Sequence, residues 1–247
     1  MSQSVSPSVD RNAVIERLDR VTDPELDQSI VELEYIDDLR IGPTVFVQFK
    51  LPTAWCSPAF AWMMATDIRE EVGGLSGVES VTVRLIDHMH AQEITHGVNE
   101  ERAFEAVFED ATEGVEEARA MLDSKARLAR QYRAVETLLD ASLDPEQIVT
   151  LTRNDVTFVE ETEQAMISVA SGLLVCVPLE PLAEYVGKAR ETGVLSAPND
   201  RLFVTPDEEP IAPDEFEHVH HRTRSAKTNM TGQGGICDAL HGARWDE

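Results

Sequence analysis

The sequence predicts an α+β protein with an N-terminal αββαβ unit, a helical middle region and a second small α+β region toward the C-terminus. Three observations carry this. Val45, Val47, Phe49 and Leu51 alternate with polar or outward-facing neighbours, and so do Val81, Val83 and Leu85, which is the period of a half-buried strand. Between these runs, Phe60, Met63, Met64, Ile68 and Val72 recur at helical spacing. Further along, Leu128, Tyr132, Val135 and Leu139 extend a helical stripe from Met121, after which short alternating runs return.

Taken in order, residues 1–9 are Ser-rich with no basic flank or apolar run, and read as a disordered lead-in. The first unit covers residues 10–87. Asp10 is a candidate cap for a helix whose face is Val14, Leu18 and Val21. Asp23-Pro24-Glu25 breaks that pattern. Val31, Leu33 and Tyr35 alternate and lead on to Ile41, giving a first strand; Gly42-Pro43 turns it into the strand at Val45–Leu51. So short a connection makes the two an antiparallel hairpin. Gly73-Gly74 ends the second helix before the third strand. A polar stretch from Asp87 to Asn99 follows, then an acidic helical region over residues 98–142. Residues 148–247 form the second α+β region, with strands at Val156–Val159, Ala165–Val169, Leu173–Val177 and Leu202–Val204. A helix after Pro178 carries Leu182, Tyr185, Val186 and Ala189, and Cys176 reads as plain core.

Charge excludes several function classes. Lysine and arginine number 21 against 46 acidic residues, a net charge of −25. Such a surface repels phosphate backbones and anionic lipid, so neither nucleic acid nor membrane is an expected partner. It suits a salt-rich cytoplasm, where ions screen self-repulsion, and the cytoplasm is the expected compartment. The three cysteines lie far apart, form no CxxC pair and supply no complete thiolate set for a resident cluster. P-loop, GxSxG, HExxH and GxGxxG patterns are all missing, so catalysis is not expected.

Residues 11–86 resemble the iron–sulfur cluster assembly domain of the SufT, PaaD and MIP type. The resemblance rests on Val21-Thr22-Asp23-Pro24-Glu25-Leu26, on Ser29-Ile30-Val31-Glu32-Leu33, on Leu51-Pro52-Thr53-Ala54-Trp55-Cys56-Ser57-Pro58, and on the closing strand Val78 to Leu85. Two positions depart from the family pattern: Ser57 stands between the cysteine and the proline, and Glu34 stands where glycine is common. The resemblance implies assembly or transfer of iron–sulfur clusters, or maturation of a metalloenzyme. Cys56 would handle a transient cluster or iron, and Asp23, Glu25 and Thr53 would shape its surroundings. The implied partners are a client metalloprotein or a cluster scaffold, and a homo-oligomer is compatible with this role. Local chemistry agrees: Ser57 can cap a helix and Pro58 fits its first turn, which sets Cys56 ahead of a helix N-terminus, where a thiolate is stabilised. The competing reading of Cys56 is an inert buried thiol, and of Asp23 and Glu25, turn formation.

Two further groups compete for a role. His88, His90, Glu93 and His96 offer imidazole and carboxylate donors, with His88 and His90 on one face if the segment is a strand; the alternative is a polar loop. From His218 to Arg244 the chain carries Arg222, Arg224, Lys227 and Arg244 against Asp238 alone, reversing the overall charge. There Cys237 and His241 could ligate a metal, the cations could bind an anionic cofactor or acidic partner, or the segment could serve as internal counter-charge; Gly232, Gly234 and Gly235 would permit tight turns. A non-catalytic accessory subunit of a multicomponent oxygenase and a metalloenzyme built on these later His and Cys residues are the alternative functions.

Overall fold

The computed structural model describes residues 9–109, 114–170 and 172–245, with side chains as far as Gly232. It is a mixed α and β structure that divides into two compact units, Met1–Arg119 with Gly232–Glu247, and Ala120–Thr231. No helix among the described residues is long and apolar enough to cross a membrane.

In the first unit, Asp10 accepts the Asn12 N–H at 3.3 Å and starts α1, Arg11–Leu18, which buries Val14 and Leu18. The chain then forms a two-rung ladder, β1 (Thr22–Asp23) against β2 (Gln28–Ser29), around the Asp-Pro-Glu turn. The strand expected from Val31 begins later, as β3, Ile36–Arg40. Residues 31–34 are turn, with Glu34 at φ +56°, because the Tyr35 N–H bonds back to the Ile30 carbonyl at 2.9 Å. Alternation there reflects partial burial of Val31 and Leu33 in a turn rather than a ladder.

The hairpin itself is as expected: β3 pairs antiparallel with β4, Thr44–Lys50, whose Val45, Val47 and Phe49 are fully buried. Helix α2, Pro58–Gly73, then crosses over to β5, Ser80–Ile86, which pairs parallel with β4 from Thr44↔Ser80 to Lys50↔Ile86. The expected αββαβ order is therefore present, with the sheet ordered β3-β4-β5. The polar stretch after β5 is not a loop throughout: Ala91–Asn99 forms α3, which packs on β5 and α2 through Ile94, Gly97 and Val98.

Helix α4, Val115–Asp140, forms over the expected stripe, but its buried face runs through Leu122, Ala126, Ala129, Val135 and Leu138; Leu128, Tyr132 and Leu139 are only partly buried and Met121 is exposed. In the second unit Asp144 caps the short α5, Pro145–Ile148. An antiparallel sheet follows, β6 (Val156–Val159), β7 (Gln164–Ser168) and β8 (Leu174–Pro178), with β7 central. Its core joins Ile148, Ile167, Val177, Leu182, Tyr185 and Phe203. On the edge strand β8, Val177 faces inward and Cys176 faces outward, so Cys176 is exposed rather than core. After α6, Leu179–Glu191, the Leu202–Val204 segment forms only isolated bridges, Thr152↔Arg201 and Val204↔Pro210, not a strand. Helix α7 runs Phe216–Trp245 straight through Gly232, Gly234 and Gly235 instead of turning there.

Candidate functional site

Because β4 and β5 run parallel and end in register at Lys50 and Ile86, the loops leaving their carboxyl ends start side by side. The carboxyl edge of parallel strands, next to a helix N-terminus, is where open α/β sheets hold ligands. The first of these loops, residues 51–57, carries Thr53 and Cys56 and delivers the chain to α2. Ser57 occupies the N-cap position of α2 and Pro58 stands in its first turn, as expected, but the Ser57 side chain makes no capping hydrogen bond. The second loop, residues 87–90, carries His88, Met89 and His90.

Two hydrogen bonds clip the loops together. The Met89 N–H donates to the Ala54 carbonyl at 2.8 Å, and the buried His88 ring reaches the Cys56 carbonyl with Nε2 at 2.9 Å. The other ring nitrogen, Nδ1, accepts the His90 N–H at 3.1 Å. A nitrogen that accepts carries no proton, so in the neutral ring the proton sits on Nε2, which donates to Cys56. Both nitrogens of His88 are thus engaged with backbone, and the residue positions the cysteine loop. His90, which would share a face with His88 were the segment a strand, lies in a turn, where its Nδ1 is 3.6 Å from Glu93 Oε1 and its ring packs on Phe108.

The Cys56 thiol is half-exposed and lies 3.1 Å from the Thr53 hydroxyl, so these two expected site residues meet. Flanking them, Trp55 is 71% and Met89 69% exposed, large apolar side chains left in water beside the thiol. Their role was not read from the sequence, although Trp55 lies inside the motif; the pairing of the two loops follows only from the parallel register of β4 and β5.

Asp23 sits in a different local arrangement. Its Oδ1 accepts the Glu25 and Leu26 N–H groups at 2.8 and 3.2 Å, and its Oδ2 accepts the Tyr35 hydroxyl at 3.2 Å. Burial pushes its carboxyl above the ordinary range, and these three donors pull it partway back. The carboxylate thereby organises the Asp-Pro-Glu turn; Glu25 lies partly buried on the same turn.

Among the described residues, no three His, Cys, Asp or Glu side chains gather where a metal ion could sit. Side chains of Cys237, His241 and Arg244 lie outside the described residues. Of the earlier cations, Arg222 lies 3.7 Å from Asp207, and Arg224 and Lys227 stand on α7 without converging on a common point in the described contacts. His220 stacks between Tyr132 and Phe216 and meets Glu136 at 2.9 Å. An open groove of about 510 Å³ lies between α1 and the edge strand β3, lined by Arg11, Ile15, Asp37 and Asp38 among others, and takes in none of the Cys56 loop.

The first unit is thus an αββαβ unit with a half-exposed thiol at the carboxyl edge of its parallel strands. Residues 11–84 match the model of the family described as iron-sulfur cluster assembly protein, which spans α1 through all but the last two residues of β5. The match ties this segment, under a third of the 247 residues, to iron–sulfur cluster assembly. Comparison with the curated proteins finds no match.

Proposed function

We propose that the chain acts as a transfer or maturation factor that accepts iron or an iron–sulfur cluster on Cys56 and passes it to a client metalloprotein. The observation that carries this reading is the thiol itself: half-exposed, hydrogen-bonded to Thr53, and held ahead of α2 inside the matched segment. Transfer is a ligand exchange. The Cys56 thiolate replaces one ligand of the donor's iron and is later replaced by a ligand of the client, with no change in electron count. A single thiol holds iron incompletely, so the remaining ligands come from the donor or the acceptor, which suits transient rather than permanent binding. Trp55 and Met89 give the apolar surface on which such a partner protein would seat, since aromatic and methionine side chains are the residues that anchor interfaces.

The test is anaerobic reconstitution with ferrous iron and sulfide, followed by activation of an apo iron–sulfur client. The wild type is expected to hold labile iron and to raise client activity, and Cys56→Ser to lose both while keeping its unfolding transition. Full client maturation by Cys56→Ser would overturn the role of this thiol.

A further inference from the structure

The second unit buries a cation whose one ion pair among the described residues is long. Arg127, on α4, is 0% exposed, none of its three nitrogens makes a well-formed hydrogen bond among the described residues, and its neutral polar neighbour is the Tyr185 hydroxyl. Gln131, Tyr185 and Lys188, also buried, are satisfied. One turn along α4, Gln131 donates to the Val204 carbonyl at 2.8 Å, and the Tyr185 hydroxyl donates to the Leu202 carbonyl at 2.6 Å. The buried Lys188 meets two carboxylates, Asp123 at 2.7 Å and Glu191 at 3.2 Å. The fold therefore supplies close carboxylates to Lys188 and only a long ion pair to Arg127.

The nearest carboxylate is Glu208, whose Oε1 stops 3.9 Å from Arg127 Nη2 while its side chain is 57% exposed. Glu208 sits at the tip of a small hairpin closed by the Thr205 N–H on the Glu209 carbonyl at 2.8 Å and by the Val204↔Pro210 bridge. It holds the left-handed backbone conformation, φ +67°, which a residue with a side chain rarely adopts. A guanidinium is a planar fork matched to an oxyanion, and it stays charged even when buried. Leaving it unpaired in the interior is among the costliest arrangements a fold can hold, so an anion belongs there.

We infer that Arg127 is the receptor of a small oxyanion, and that Glu208 on the Thr205–Pro210 hairpin stands over the site as a weak internal substitute that the ligand displaces. The site is independent of Cys56. Its test is isothermal titration of the full chain with inorganic phosphate, and separately with acetate, at constant ionic strength. The expected result is saturable one-to-one binding of one of these probes. That binding should be several-fold tighter in Glu208→Gln, which removes the competing charge, and lost in Arg127→Met. Methionine fills the space without a charge, so that variant is expected to fold; should it not, the Glu208→Gln comparison still decides. Phosphate in preference to acetate identifies a phosphoryl ligand, and the reverse a carboxylate. Absence of binding by both probes in wild type and Glu208→Gln overturns the inference. So does equal binding of chloride, or binding that persists in folded Arg127→Met.

Discussion

At the scale of single residues, the site turns on what touches the Cys56 sulfur. The Thr53 hydroxyl stands 3.1 Å away and can donate to the thiolate. A hydrogen bond to a charged acceptor contributes roughly 1.5–3 kcal/mol, and the greater nucleophilicity of the thiolate that lacks it offsets about half of this in a rate. Thr53→Val keeps the shape and removes the donor. It is expected to slow alkylation of Cys56 by iodoacetamide at neutral pH about fivefold, a change measured directly by mass spectrometry; an unchanged rate would show that the hydroxyl donates elsewhere. Asp23 gives a second residue-level prediction. Its carboxyl is raised above 3.8 by burial, so the folded state binds the proton more tightly than the unfolded chain does. Its effect is therefore most favourable below the unfolded value and declines as pH climbs from there through the raised folded value. Asparagine at this position keeps an oxygen for the Glu25 and Leu26 N–H groups and has no titration. The stability of wild type minus that of Asp23→Asn, from urea unfolding between about pH 3 and pH 7, is expected to fall as pH rises. A difference that grows with pH would mean that the three donors outweigh burial.

At the scale of elements, α3 explains why the matched unit needs more chain than its motif. Gly97 lies buried where α3 crosses Trp62 of α2. A Cβ there would come within 2.5 and 2.7 Å of two Trp62 ring carbons and 2.9 Å of Val107 Cγ2. Alanine favours a helix over glycine by up to about 1 kcal/mol, but forcing a methyl into a filled core costs about 1–3 kcal/mol. Trp62 is 5% exposed and packed edge-on against Phe104 and Phe108, so it has nowhere to retreat. The clash wins, and Gly97→Ala is expected to lower unfolding stability by about 1–2 kcal/mol in urea titration. This packing was not legible in the sequence, because the polar residues of Asp87–Asn99 hide an amphipathic helix with only Ile94, Gly97 and Val98 inward. What was legible had a regular pattern: β4 and β5 alternate buried and outer positions, and α2 carries Met64, Ile68 and Val72 at helical spacing. The turn over residues 31–34 and the exposed Cys176 were misread for one reason. Both lie in short apolar runs, where alternation alone does not say which neighbours form a ladder or which face of an edge strand meets the core. The Thr53–Cys56 pair could be anticipated from three-residue spacing, whereas the His88 clip depends on the β4–β5 register, a contact between positions 32 apart that no local pattern encodes.

At the scale of the whole molecule, the net charge of −25 sets how the chain responds to salt. Two effects oppose each other. Ion pairs such as Arg119 with both oxygens of Asp67, at 2.9 and 3.0 Å, and Arg17 with Glu71 at 3.1 Å weaken as salt screens them. Repulsion among the acids in excess weakens at the same time. These pairs are half-exposed, and each contributes at most about 1 kcal/mol. Acidic residues outnumber the cations more than two to one, and the repulsion among the surplus is summed over the entire surface. The screening length falls from about 10 Å at 0.1 M to about 3 Å at 1 M salt, short enough to separate most surface carboxylates. Relief of repulsion is therefore the larger effect. The thermal midpoint of the wild type at neutral pH is expected to rise between low salt and about 0.5 M sodium chloride, where each kcal/mol gained corresponds to about 2–4 °C for a chain of this length. Potassium chloride should act equally, because screening depends on ionic strength rather than on the ion's identity. A midpoint that falls with salt would place the paired charges, not the surplus acids, in control of stability, and a rise confined to one cation would indicate a bound ion instead of screening.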